Sequence, residues 1–466
     1  MRRKGGKPVF REETIAAVAT AHGEGGIGIV RISGSEARNI LDRVFAPAVA
    51  GPVQNRKLTF GTVRDPESGE AIDEALAVFI PSPNTYTRED IVEINCHGSV
   101  VALRKTLDIV LSQGAALAES GEFTKRAFLN GRIDLAQAEA VIDLVKAKAE
   151  RSFGAALSQL EGKLSSKVRD IRKEILSLLV NITVNIDYPD EDIEELTYAE
   201  LLNHITQIGD MIEKLLITAN AGQIIKDGLK TVIAGTPNVG KSSLLNALLK
   251  ENRAIVTEIP GTTRDIIDET ISIKGIPVRL LDTAGIRGTE DAIEKMGIEK
   301  SREAFNQADL ILLMVDGSEG LSQADIELMT AARSKQAIVL INKTDLDKKI
   351  QEAQIRAVLP GCDTIDTSVI GDIGISELED KIAAMVYGGK AVQGESLLVT
   401  NARHKDILSR ASSAICDARV MAEKKEALDF IEVDVRAAFE LLGEMIGETA
   451  SDEIINEVFA NFCLGK

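Results

Sequence analysis

Gly235-Thr236-Pro237-Asn238-Val239-Gly240-Lys241-Ser242 decides how the rest of the chain is read. It follows the short apolar run Thr231-Val232-Ile233-Ala234 and precedes a helix-patterned stretch from Ser243 to Leu249. A G-x-x-x-x-G-K-[ST] pattern between a strand and a helix lets backbone N–H groups surround a phosphate, and the helix N-terminus adds positive potential. On that reading Asn238, Val239, Gly240 and Ser243 belong to the phosphate cradle. Lys241 reaches the β- and γ-phosphates, and the Ser242 hydroxyl ligates Mg²⁺.

Three further elements follow in order. Asp282-Thr283-Ala284-Gly285 comes after a strand expected at Pro277 to Leu281. Its Asp would hold Mg²⁺ through water and its Gly N–H would meet the γ-phosphate. Asn342-Lys343-Thr344-Asp345 comes after a strand ending at Ile341. The Asp345 carboxylate can accept hydrogen bonds from guanine N1 and N2, whereas adenine would leave it unpaired at a cost of about 1–3 kcal/mol. Thr367-Ser368 stands where a last base-contacting loop belongs, with Val369 in place of the usual Ala. Any one motif can arise by chance; four in order, each after a strand, imply a GTPase. Between the first and second lies Gly261-Thr262-Thr263-Arg264-Asp265, whose Thr263 would close on Mg²⁺ when the γ-phosphate is present. After Gly285 stands Ile286, where many GTPases place a Gln that orients the attacking water. Another element must then stabilise the transition state. Asn238 is a candidate ligand for a monovalent cation. Glu294 is available to position water, although spacing alone favours a solvated helix charge there.

Outward from this site the chain changes character twice. Leu310 to Val315 and Ala337 to Ile341 are continuous apolar runs, as strands of a parallel sheet covered on both faces should be. Residues 228–388 therefore read as a doubly wound α/β domain. Residues 126–227 carry helical periodicity, with Leu135, Ala138, Val141, Ile142 and Val145 on one face and Val168, Ile171, Ile175, Leu178 and Leu179 on another. Pro189 and the acidic run from Asp190 mark a break between helices. Residues 389–466 return to helix, with Ile407, Ala411, Ile415, Ala418 and Met421 as a stripe. One helical domain interrupted by the inserted α/β domain is the economical reading; two independent bundles are the alternative. Residues 1–125 read as mixed α and β. Strands are expected at Ile15–Ala19, Ile27–Ile32, Ala75–Ile80 and Asp90–Ile94, and a helix over Val100 to Leu111.

Composition limits the function classes. The 466 residues fit about three domains. The net charge of -18 argues against a broad basic face that grips nucleic acid. With no Trp and 4 Tyr, an aromatic base-stacking platform is unexpected as well. Four Cys cannot build a disulfide scaffold in a chain this long and fit a reducing compartment. No apolar run approaches a membrane span, and no signal peptide or lipid anchor is read, so a cytoplasmic protein without a membrane partner is expected. Cys96-His97 shows no zinc-ligand spacing; Cys96 reads as structural and His97 as a residue near a pocket.

The ends carry a resemblance. Glu13 to Thr20 with Gly23 to Gly34, Gly121 to Asn130 with Asp134 to Ala140, and the terminal Phe462-Cys463-Leu464-Gly465-Lys466 resemble the MnmE (TrmE) family of tRNA-modification GTPases over essentially the whole chain. The resemblance implies a folate-binding, dimerising N-terminal α+β domain at 1–125, a discontinuous helical domain and an inserted Ras-like P-loop GTPase domain. It also implies a homodimer and a flavin (FAD) partner, MnmG (GidA). With that partner the family installs an aminomethyl-type group on carbon 5 of the wobble uridine of certain tRNAs, from a tetrahydrofolate one-carbon unit (5-formyl or methylene form). By motif position the folate would meet Arg31, Glu93, Arg132 and Lys466. K⁺ would be held by Asn238, Thr257, Ile259 and Thr262, and Mg²⁺ by Ser242 and Thr263. The water-orienting Glu falls on Glu294, and Cys463 is the family's proposed catalytic thiol; read alone, a Cys beside Phe462 is more often packed than reactive. The competing class is an assembly or regulatory GTPase that binds RNA without modifying it, for which a basic RNA-binding module would be expected.

Overall fold

The computed structural model describes residues 13–21, 23–187, 197–251, 269–281, 305–387, 399–462 and 465. It divides into two compact units, 1–142 with 443–466, and 143–442.

The first unit is built on seven strands: β1 (Ile15–Val18), β2 (Gly25–Ser33), β3 (Phe45–Pro47), β4 (Thr59–Arg64), β5 (Ala71–Ile80), β6 (Ile91–Gly98) and β7 (Ala116–Leu117). They lie in the order β3-β4-β5-β6-β2-β1-β7. All neighbours are antiparallel except β1 and β7. Alternation decides which face is covered. On β6, Val92, Ile94 and Cys96 are buried in the core with Ile40 and Leu41 of the helix Ala37–Val44 and Val110 of the helix Val100–Ser112. Glu93 and Asn95 alternate with them, half-buried on the other face. Ser99 caps the second helix by accepting from the Ala102 N–H. A separate cluster joins Leu135 and Ala138 to Phe459 and Phe462, so the helix Asp452–Ala460 packs beside helices some three hundred residues earlier in the chain.

The second unit contains the sheet expected from the apolar runs. Its strands are β8 (Leu229–Gly235), β9 (Glu269–Ile273), β10 (Ile276–Leu280), β11 (Leu310–Asp316), β12 (Gln336–Asn342) and β13 (Asp363–Asp366). Their order is β13-β12-β11-β8-β10-β9, parallel throughout except that β9 runs against β10. β11 is buried from Leu310 through Val315 because helices cover both faces. Leu244, Leu248, Leu378 and Ile382 pack on one side, Met329 and Ile355 on the other.

Within the second unit, the helices before and after this sheet are bonded to one another, while 126–142 and 443–466 belong to the first unit. Thr400 Oγ1 donates to the buried Gln159 Oε1 (3.3 Å), Lys405 Nζ to Asn220 Oδ1 (2.8 Å), and Arg172 Nε to Phe439 O (3.2 Å). The Arg172 guanidinium also lies 4.1 Å over the Phe439 ring. The expected break around Pro189 falls outside the described residues.

Candidate functional sites

The loop between β8 and the helix Lys241–Glu251 sits at the C-terminal edge of the parallel sheet, where open α/β sheets bind their ligands. Asn238 is exposed and held in the left-handed region at φ 61°. Lys241 Nζ donates to Gly235 O (2.8 Å) and Thr236 O (2.7 Å), so its ammonium lies across the mouth of its own loop. Burial pushes the Lys241 pKa down, and an anion seated in the loop would reverse that shift. Ser242 and Ser243 are exposed at the helix start, and Val239 is buried in the core with Leu244.

The buried Asn342 links this loop to the end of β12. Its Nδ2 donates to Val239 O (2.8 Å), and its Oδ1 accepts from the Val369 N–H (3.3 Å). Asp345 is exposed, and Ser368 Oγ donates to its Oδ1 (2.7 Å). Two residues that the sequence reading left out belong to the same edge. Asp316, at the end of β11, accepts Lys343 Nζ on Oδ2 (2.5 Å). Ser318 donates to its Oδ1 from both N (2.9 Å) and Oγ (2.6 Å). Burial works against ionisation of Asp316, but the bonds from Lys343 and Ser318 outweigh it and hold the carboxyl below its usual range. The available signal was an apolar strand ending in Asp-Gly, Val315-Asp316-Gly317, one strand over from the Asn-Lys-Thr-Asp motif.

In the first unit Arg31 on β2 stands in register with Glu93 on β6. Its Nε and NH2 both donate to Glu93 Oε1 (2.9 and 2.8 Å), with each side chain 24% exposed. The Arg31 guanidinium lies 5.8 Å from the ring centroid of the fully buried Phe123. Arg132 lies 4.6 Å over the Tyr86 ring, and Tyr86 OH is 2.9 Å from Thr124 Oγ1. Phe123 and Tyr86 share one apolar cluster with Ile15 and Ala17, so Arg31, Glu93 and Arg132 converge on it. Gly465 seats on the adjoining strand: at φ 82° any Cβ would stand 2.1 Å from Val18 O. Cys96 is buried, and desolvation pushes its thiol up to about 11, far from a reactive thiolate. His97 is exposed on β6, its Nδ1 2.7 Å from Asp73 Oδ1.

Thr257, Ile259, Thr262, Thr263, Asp282, Thr283, Ala284, Gly285, Glu294, Cys463 and Lys466 lie outside the described residues. No group of three or more metal-ligating acidic, His or Cys side chains occurs among the described ones. No described helix is long and apolar enough to cross a membrane.

One edge of a doubly wound sheet thus presents a phosphate grip after β8 and, two strands along, a carboxylate able to read both donors of guanine. That combination defines a P-loop GTPase. A family model described as the MnmE helical domain matches residues 135–463, and one described as the TrmE N-terminus, a GTP-binding protein, matches 14–132. The chain is 51% identical over 461 residues to the tRNA modification GTPase MnmE of Alkaliphilus oremlandii (strain OhILAs), covering 98% of this chain and 100% of that one. It is 49% identical to the protein of the same name from Clostridioides difficile (strain 630), again over 98% and 100% of the two chains. The chain belongs to the MnmE family of tRNA-modification GTPases, and its reaction is GTP hydrolysis in the service of tRNA modification.

Proposed function

We propose that this GTPase works in the cytoplasm as a homodimer, together with a flavin protein of the MnmG (GidA) type. The pair would add an aminomethyl or carboxymethylaminomethyl group at carbon 5 of the wobble uridine, drawing one carbon from a tetrahydrofolate derivative. In this reading 1–125 carries the folate and dimer functions, 228–388 the GTPase, and 126–227 with 389–466 the helical scaffold. The observation that carries the folate assignment is the half-buried Arg31–Glu93 pair over Phe123. A pterin presents N–H donors, an aromatic face and, through its tail, carboxylates. A carboxylate, a guanidinium and apolar rings at one place fit that set. Arg132 over Tyr86 would add a second cation for the tail, and Lys466 a third.

In the G domain, Lys241 would leave Gly235 O and Thr236 O to meet the β- and γ-phosphates. Ser242 and Thr263 would hold Mg²⁺, which supplies charge neutralisation between the phosphates; the exposed Ser242 hydroxyl at a helix start suits it. Asn238, exposed at the loop apex, fits a ligand for K⁺, with Thr257, Ile259 and Thr262 completing the set. Glu294 would orient water in place of the missing Gln. Cys463 would be the catalytic thiol of the modification reaction. The net charge of -18 leaves tRNA affinity largely to the partner.

Calorimetry with 5-formyltetrahydrofolate tests the reading. Binding is expected, weakened at least tenfold by Arg31→Ala. No heat with the unmodified chain would overturn the folate assignment. GTP hydrolysis is expected to run faster in K⁺ than in Na⁺, with Asn238→Ala erasing the difference. Glu294→Ala should lower kcat and leave GTP affinity nearly unchanged.

A further inference from the structure

The β9–β10 hairpin closes on a two-residue turn, Lys274-Gly275, with both residues at positive φ (48° and 81°). This turn does not stand free. Arg151, on the helix Glu150–Leu160 of the helical body, donates its backbone N–H to Gly275 O (3.3 Å) and its Nε–H to Lys274 O (3.2 Å). The same guanidinium donates from NH1 to Tyr387 OH (2.6 Å) and lies 5.0 Å over the Tyr387 ring. Tyr387 follows the helix Ile375–Val386, whose Asp380 pairs with Lys274 Nζ. The fit is close: a Cβ on Gly275 would stand 2.9 Å from Arg151 Cγ. One arginine outside the nucleotide fold therefore clasps the hairpin turn and the end of the last helix of that fold.

The strands of the hairpin make this contact consequential. β9 begins at Glu269 and β10 ends at Leu280, paired across the ladder at the end opposite the turn. β10 also runs parallel with β8, Leu280 beside Thr231, on the strand that leads into the phosphate loop. A five-residue ladder bonded along its length moves as a unit, so a displacement at the nucleotide end reaches the turn.

We propose that Arg151 is a positioning residue that couples nucleotide state to the helical body through the turn of the β9–β10 hairpin. Coupling is reciprocal: if the nucleotide biases the clasp, the clasp biases nucleotide choice by the same factor. It stands outside the motifs that bind the nucleotide and acts only through the hairpin.

The test uses the full-length chain with GDP and with a non-hydrolysable GTP analogue. Amide hydrogen exchange of residues 152–157 is expected to differ between the two nucleotides, and Arg151→Ala to abolish the difference. The ratio of the two affinities should change at least fivefold in Arg151→Ala and less in Arg151→Lys, which keeps charge but loses the fork. A merely structural arginine would lower the melting temperature while leaving the exchange difference and the affinity ratio intact, and that result overturns the proposal. Should Arg151→Ala fail to fold, Tyr387→Phe removes only the hydroxyl partner and is read on the same two measurements. A ratio within twofold of the unmodified chain, with exchange still nucleotide-dependent, overturns the proposal there too. Loss of binding to both nucleotides in the unmodified chain would strike at the GTPase assignment and so is distinguishable.

Discussion

Asp316 shows what a single carboxylate does for a site it was not read into. It holds Lys343 beside the candidate guanine reader through a charge-assisted bond. Asp316→Asn is expected to weaken GDP binding about tenfold, from a lost bond of about 1.5 kcal/mol, with kcat at saturation unchanged. Calorimetry and steady-state kinetics check the two halves. Because the Asp316 carboxyl is held below its usual range, its contribution persists at every pH above the unfolded carboxylate pKa and is lost only as pH falls through the lowered folded value. His97 has the opposite sign. Its hydrogen bond to Asp73 raises the imidazole pKa, so whatever it adds is present below the unfolded value and lost as pH rises through the folded one. NMR titration should place its midpoint above an ordinary histidine, and Asp73→Asn should bring it back. At this scale the sequence placed Asp345 and Ser368 in neighbouring loops by motif spacing, and their side chains do meet. Val369 looked like a departure from the base-loop pattern, but the structure uses its backbone N–H on Asn342, which a change of side chain leaves in place. Asp316 was illegible because its partner arrives from the next strand, and register is not written in one strand alone.

Elements were legible where burial imposes a pattern. β8, β11 and β12 follow from their apolar runs, and β2, β5, β6 and the helix Val100–Ser112 from alternation or helical period. The short β3 and β7, at three and two residues, offer too few positions for any period to show. β9 reads as polar because Glu269, Thr270 and Ser272 interleave its buried Ile271 and Ile273. The helix Glu122–Leu129 is fixed by a device of another kind. The Arg126 side chain, 5% exposed, donates to Glu122 Oε1 (2.8 Å), Glu89 Oε2 (3.1 Å) and Glu13 O (3.0 Å). It thereby ties the helix to the residues before β1 and to the loop before β6. Removing one partner from a buried ionic group typically costs about 3–5 kcal/mol. Arg126→Ala should therefore lower the unfolding free energy of the first unit, read from a denaturant titration, by an amount in that range.

At the scale of the whole molecule the two units should answer to different ligands. Calorimetric unfolding is expected to show two transitions. GDP at a hundredfold its Kd should stabilise the one that belongs to 143–442 by about 2.7 kcal/mol, and on the proposed folate reading a reduced folate should move only the other. A single transition shifted equally by both ligands would contradict this independence. The segregation also explains why composition alone does not locate the sites. Charge summed over 466 residues describes a surface, whereas the candidate sites occupy one sheet edge and one paired register. The seat of Gly465 on Val18 has a last consequence, for the order in which the chain is made. Strand β1 leaves the ribosome some 450 residues before the glycine that packs on it. At roughly 5–20 residues per second, the nucleotide fold has time to form while that place on β1 stands open. The first unit is thus completed only after the nucleotide fold has been made, and a chain cut short anywhere before residue 465 lacks the residue that fills that seat.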